Sequence, residues 1–87
     1  MNQMPKITAT ITIVETGETH EALFNDVIEM IDIIAGNVML AELAYGRSIQ
    51  VSHVDVEEDR DDAHFAYAFA DTGATYMTVD AQRHFVQ

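Results

Sequence analysis

Apolar and polar residues alternate singly in several stretches of this chain and recur every three to four residues in one, and that contrast lays out its elements. Ile7, Ala9, Ile11 and Ile13 alternate with Thr8, Thr10 and Thr12, the period of a half-buried strand, with Pro5 at its entrance. One face is core and the other is threonine. Glu15-Thr16-Gly17-Glu18 then carries a hairpin signal, because Gly17 can supply a positive φ. With Thr16-Gly17 as the turn centre, Ile13 faces His20, Ile11 faces Ala22 and Ala9 faces Phe24.

Asn25–Tyr45 is the longest apolar segment and the only one with a sustained helical period. Val27, Ile31, Ile34, Val38, Ala41 and Tyr45 follow one helix face, while Asn25, Glu29, Asp32 and Gly36 fall opposite. Asn25 or Asp26 supplies the N-cap, and Glu29 favours the positive end of the helix. Ile33, Leu40 and Leu43 carry apolar side chains round onto the polar side. Either the helix continues and is covered on a second side, or Gly36-Asn37 breaks it; the helix formers Met39 to Ala44 favour continuation with a kink.

Gly46 reads as the helix stop and Ser48–Val56 as a strand. Ile49 and Val51 share one face of it and Val54 and Val56 the other, a change of parity that a bulge near Ser52-His53 reconciles, the alternative being a strand apolar on both faces. Glu57 to Asp62 holds no apolar residue and reads as an exposed hairpin loop. In His64–Ala70, Phe65, Tyr67 and Phe69 alternate with alanines, and the pattern does not say which face is core. Asp71-Thr72-Gly73-Ala74 repeats the earlier turn chemistry, pairing Phe69 with Tyr76 and Tyr67 with Thr78, and Thr75–Val79 is the last strand. Ala81–Gln87 is a tail that extends this strand or forms a short turn. The expected architecture is one antiparallel α+β domain over residues 1–87, with ββαβββ order.

Charge changes this picture. Fifteen acidic residues stand against 4 Lys plus Arg, for a formal charge of -11 and a pI near 4.3. Such a surface is repelled by phosphate backbones and anionic membranes and attracted to basic surfaces, including those that hold nucleic acid. Direct nucleic-acid and membrane binding are therefore not expected. Cysteine is absent, which excludes disulfide and thiolate chemistry and makes a cytoplasmic location the expectation.

Candidate chemistry is sparse. Asp71-Thr72-Gly73-Ala74 matches the Asp-Thr-Gly-Ala signature of retroviral-type aspartic proteases, but the short segment after it leaves no room for that family's flap and barrel, so no catalytic role is carried over. His53, Asp55 and His64 come together if the third and fourth strands pair, yet their spacing matches no defined metal motif, and no metal or cofactor is expected. His20 and His84 have no partner that the sequence identifies. Asp55, Glu57, Glu58, Asp59, Asp61 and Asp62 are dense in oxygen ligands but lack the ordered spacing, turn glycine and terminal glutamate of an EF-hand. No phosphate loop or nucleophile elbow is present, so the chain is expected not to be an enzyme.

These six acidic residues are instead the candidate partner-binding site, with Phe65, Tyr67 and Phe69 as secondary contact candidates. In size and charge, though on no residue motif, the chain resembles small phage- or plasmid-encoded counter-defence proteins, such as anti-CRISPR and anti-restriction DNA mimics. The resemblance implies an acidic inhibitor that engages a basic, nucleic-acid-binding protein. The alternative is a homo-oligomeric assembly module, a homodimer at its simplest, suggested by the surplus apolar side of Leu40 and Leu43.

Overall fold

The computed structural model describes residues 4–56 and 61–86. Its elements follow the ββαβββ order: β1 (Met4–Ile13), β2 (Thr19–Phe24), α1 (Val27–Tyr45), β3 (Ile49–Val56), β4 (Asp62–Phe69) and β5 (Thr75–Val86). The strands form one antiparallel sheet in the order β2-β1-β5-β4-β3, with the helix on one face. The tail anticipated after Val79 is the second half of β5, which runs beside β1 from Met77 opposite Ile13 to Val86 opposite Met4. Two such long neighbours stretch the molecule to 48 × 22 × 21 Å.

Both glycine turns close in the same way. Gly17 N–H donates to the Ile13 carbonyl and Gly73 N–H to the Phe69 carbonyl, each at 2.8 Å, with the glycines at φ 74° and 76°. Thr16 and Thr72 hydroxyls each accept from the backbone two residues on, at 3.2 Å. The turns are thus longer than the two-residue form, and this corrects both expected registers. Ile11 faces His20, Ala9 faces Ala22 and Ile7 faces Phe24, a slip of two residues that keeps every side chain on its expected face. In the second hairpin Tyr67 faces Met77 and Ala68 faces Thr75, which leaves Tyr76 as a bulged residue. The bulge near Ser52 is present too, as the register shifts between Val51 and His53.

The helix runs unbroken through Gly36. Asp26 is its N-cap, accepting from Glu29 N–H at 2.8 Å, while the Glu29 carboxylate accepts from Asn25 N–H at 2.8 Å. Asp26 thus satisfies one donor that the first turn would otherwise leave open, and Glu29 holds the N–H of the residue before the cap. Gly46, at φ 66°, ends the helix and donates to the Glu42 carbonyl. Beyond it, the Glu42 carboxylate accepts from Ile49 N–H at 2.9 Å. Arg47 lies 3.8 Å over the Phe69 ring and donates twice to Asp71, at 3.0 and 2.7 Å, holding the Asp71 carboxyl below its usual range. Tyr45, Phe69 and Tyr76 meet edge to face with centroids 5.4 to 5.7 Å apart. The bulge at Tyr76 is what turns that ring under the end of the helix.

The buried helix positions are Met30, Ile34, Val38 and Ala41. The expected stripe is corrected at both ends, because Val27, Ile31 and Tyr45 remain nearly half exposed and Met30 takes the deep position. Beneath the helix a row of small side chains, Ala22, Ala9, Ala81 and Ala63, crosses four strands and meets Val56 on the fifth. Ala9 and Val79 are fully buried. Five strands about 4.8 Å apart span roughly 20 Å, whereas a helix is about 10–12 Å wide, so one helix cannot cover the sheet. Two apolar grooves result. One of about 400 Å³ lies between α1 and β3–β4, walled by Val27, Ile31, Val54, Val56 and Phe65; the other, of about 600 Å³, lies between α1 and β1–β2, walled by Ile11, Ile13, Ile33 and Leu40.

Replacing Asp26 with Ala should lower unfolding free energy by about 1 kcal/mol in urea titrations, the usual magnitude for an N-cap. Glu29→Ala should cost a similar or smaller amount, and the double variant less than the sum, because both side chains brace the same helix entry.

Candidate functional site

Among the described residues no layer covers the sheet face away from the helix, and its lateral register assembles what the sequence scatters. Glu21 on β2 faces Thr10 on β1; Thr10 faces Asp80 on β5; Asp80 faces His64 on β4; His64 faces Asp55 on β3. One row across all five strands therefore carries three carboxylates and an imidazole. The next row adds Thr8, Gln82 and Asp62. Thr8, Thr10, Glu21, Asp62, His64 and Asp80 line a shallow groove of about 370 Å³ between these rows.

His64 is the centre of this arrangement. Its Nδ1 lies 2.5 Å from Asp80 and its Nε2 3.3 Å from Asp62. With a carboxylate at each ring nitrogen, the imidazolium donates twice, so Asp80 first and Asp62 second push the His64 pKa above its ordinary value. Neither nitrogen offers a lone pair to a metal. His53 and Asp55 do share this face with His64, yet among the described residues no group of three or more His, Asp or Glu is placed to hold a metal ion. His20 lies on the helix side, 3.5 Å from Glu18.

The acidic stretch singled out from sequence divides in the structure. Glu57, Glu58 and Asp59 lie outside the described residues. Asp55 belongs to the row, and Asp62 bonds to His64. Asp61 is paired with Arg83, which donates to it at 3.0 Å. The aromatic candidates face the helix instead of solvent: Phe69 is buried, and Phe65 and Tyr67 pack partly buried against the core. As a contact surface Phe69 is therefore a correction, since the alanines that alternate with this trio occupy the open side. Burial also raises the Tyr67 pKa. Asp71 of the Asp-Thr-Gly-Ala turn is engaged by Arg47.

Glu21 and Asp80 were missed as site residues. Their parity with Thr10 was visible, but only the β1–β5 pairing, across nearly the whole chain, sets Asp80 beside Thr10. The chain matches no family model, no curated protein and no solved structure. Among the described residues, no helix is long and apolar enough to cross a membrane.

Because the folded pKa of His64 lies above the unfolded value of about 6.5, its stabilisation is fully present below that pH and is lost as pH rises through the folded pKa. Two measurements check this. In an NMR titration His64 should titrate above the ordinary histidine range, and His64→Gln should reduce the loss of stability that the native chain shows between mildly acidic and mildly alkaline pH. Equal pH slopes for both proteins would contradict the arrangement.

Proposed function

We propose that this chain is a non-catalytic binding module, an acidic inhibitor whose open sheet face docks on a basic surface of a partner protein and competes there with nucleic acid. The observation that carries the reading is the row Glu21, Asp80, His64 and Asp55, which spreads carboxylates across a flat polar surface from one sheet edge to the other. Among the described residues the His64 imidazolium, between Asp80 and Asp62, offsets part of that charge, and the other cations are engaged elsewhere. Arg47 and Arg83 are tied to Asp71 and Asp61, and Lys6 donates to Asn25 at 2.5 Å.

A flat face of one sign steers a basic partner at long range and gains when both surfaces shed their counterions. Glu57, Glu58 and Asp59 follow Asp55 closely in the chain and add three carboxylates to the β3–β4 connection. Within a Debye length of about 8 Å at physiological salt, such a cluster repels itself, and a basic groove relieves that repulsion. Small counter-defence inhibitors that mimic nucleic acid use this physics, and this chain fits the type in charge and size.

The test captures partners from the source cell at low and moderate salt, then challenges them with duplex DNA. Bound proteins should be released by DNA and by salt. Two variants should weaken capture about tenfold each, or about 1.4 kcal/mol: one combines Glu21→Gln with Asp55→Asn, and the other Glu57→Gln, Glu58→Gln and Asp59→Asn. Both should leave folding stability unchanged or slightly raised. Capture that ignores salt, DNA and both variants would reject the reading.

A further inference from the structure

The helix layer is the opposite of the open face. Seven side chains of α1, among them Ile28, Met39, Leu40 and Leu43, are between 46% and 81% exposed, and Val51, Val54 and Val56 on β3 are half exposed beside them. The charged residues of the helix are Glu29, Asp32 and Glu42, with no Lys or Arg. At roughly 100 Å² of apolar surface per fully exposed aliphatic side chain, these ten leave on the order of 600 Å² uncovered. A standard interface buries about 800 Å² per partner, and in homodimers about 65% of it is apolar. One copy of this chain thus presents as much apolar surface as one side of a homodimer requires.

We infer that the helix layer is covered by a second copy of this chain, with the two α1 helices packed antiparallel about a twofold axis beside Gly36. Charge selects the occupant and the direction. Two chains of formal charge -11 repel wherever their carboxylates meet, and the helix crest confines its own, Glu29 and Asp32, to its first half, with Met39, Leu40 and Leu43 apolar in the second. A parallel pair would bring together two copies of Asp26, Glu29 and Asp32 at one end. An antiparallel pair separates them and opposes the helix dipoles. Symmetry then fits the pattern of side chains: Ile28 and Ile31 lie before Gly36, and Met39, Leu40 and Leu43 after it, so each group meets the other across the axis.

Gly36 sits at the midpoint of α1, and a Cβ built there meets nothing within 4 Å. A second helix can therefore approach closely at that point, with side chains from each copy entering the grooves that flank the other helix. The assembly turns both open acidic faces outward, on opposite sides. It does not depend on what those faces bind.

Sedimentation and light scattering of the full chain at micromolar concentration should give twice the 9.7 kDa protomer mass. Leu40→Glu and Leu43→Glu, at positions 65% and 81% exposed, should each yield a monomer whose circular dichroism matches the native chain. The chain has no cysteine, so Gly36→Cys should form a disulfide-linked dimer on mild oxidation while Thr10→Cys on the open face does not. A monomer at every concentration overturns the inference and leaves the layer to a different protein. A dimer unaffected by both glutamate substitutions, or one in which Gly36→Cys fails to cross-link, overturns it as well.

Discussion

A five-stranded sheet carrying a single helix has more inner surface than the helix can cover, and most of this molecule's properties descend from that mismatch. The sheet solves part of it with the alanine row Ala22, Ala9, Ala81 and Ala63, which offers little side chain to bury where the layers come together. The rest stays open as two apolar grooves flanking α1. A wider sheet than cover is costly for so small a chain, because each uncovered aliphatic side chain forgoes its share of about 1.5–3 kcal/mol of burial.

The helix packs along its length through Met30, Ile34, Val38 and Ala41, and polar contacts fix its ends. Asp26 and Glu29 close the first turn. At the other end Gly46 releases the chain, Glu42 accepts from Ile49, and Arg47 reaches across to Phe69 and Asp71. Tyr45 adds its ring to Phe69 and Tyr76, and its hydroxyl donates to Glu15 at 3.1 Å. The glycine turns are part of this anchor, because their extra length displaces each hairpin's register and the second one frees Tyr76 to rotate inward. Polar contacts thus serve the helix ends, and its crest is apolar in the second half, at Met39, Leu40 and Leu43.

Segregation of the two faces follows from strand periodicity. Side chains alternate across a sheet, so any strand that supplies core on one side must display its intervening residues on the other. Here those residues are threonine, acid and histidine. The acidic residues that carry the formal charge of -11 accumulate on the open face, at the turns and in the first half of the helix, while the second half of the helix crest is apolar. The chain therefore presents one acidic, polar face and one largely apolar one.

The elements themselves were legible in the chain. Threonine alternating with isoleucine specified β1, Asp26 and Gly46 bounded the helix, and the change of parity in Ser48–Val56 revealed the bulge, because each depends on residues near in sequence. Continuity of the helix through Gly36 followed from the helix formers Met39 to Ala44 after it, whose propensities outweigh the roughly 1 kcal/mol disadvantage of one glycine. What adjacency could not carry was register and facing. Hairpin register depends on the full hydrogen-bond geometry of the turn, so a four-residue loop looked like a two-residue one. The direction of Phe65, Tyr67 and Phe69 depended on which side the helix lay, and the local pattern is symmetric in that respect. The acidic row was hidden for the same reason: Glu21, Asp80, His64 and Asp55 lie on four separate strands, and only the long-range pairing of β1 with β5 brings them into line.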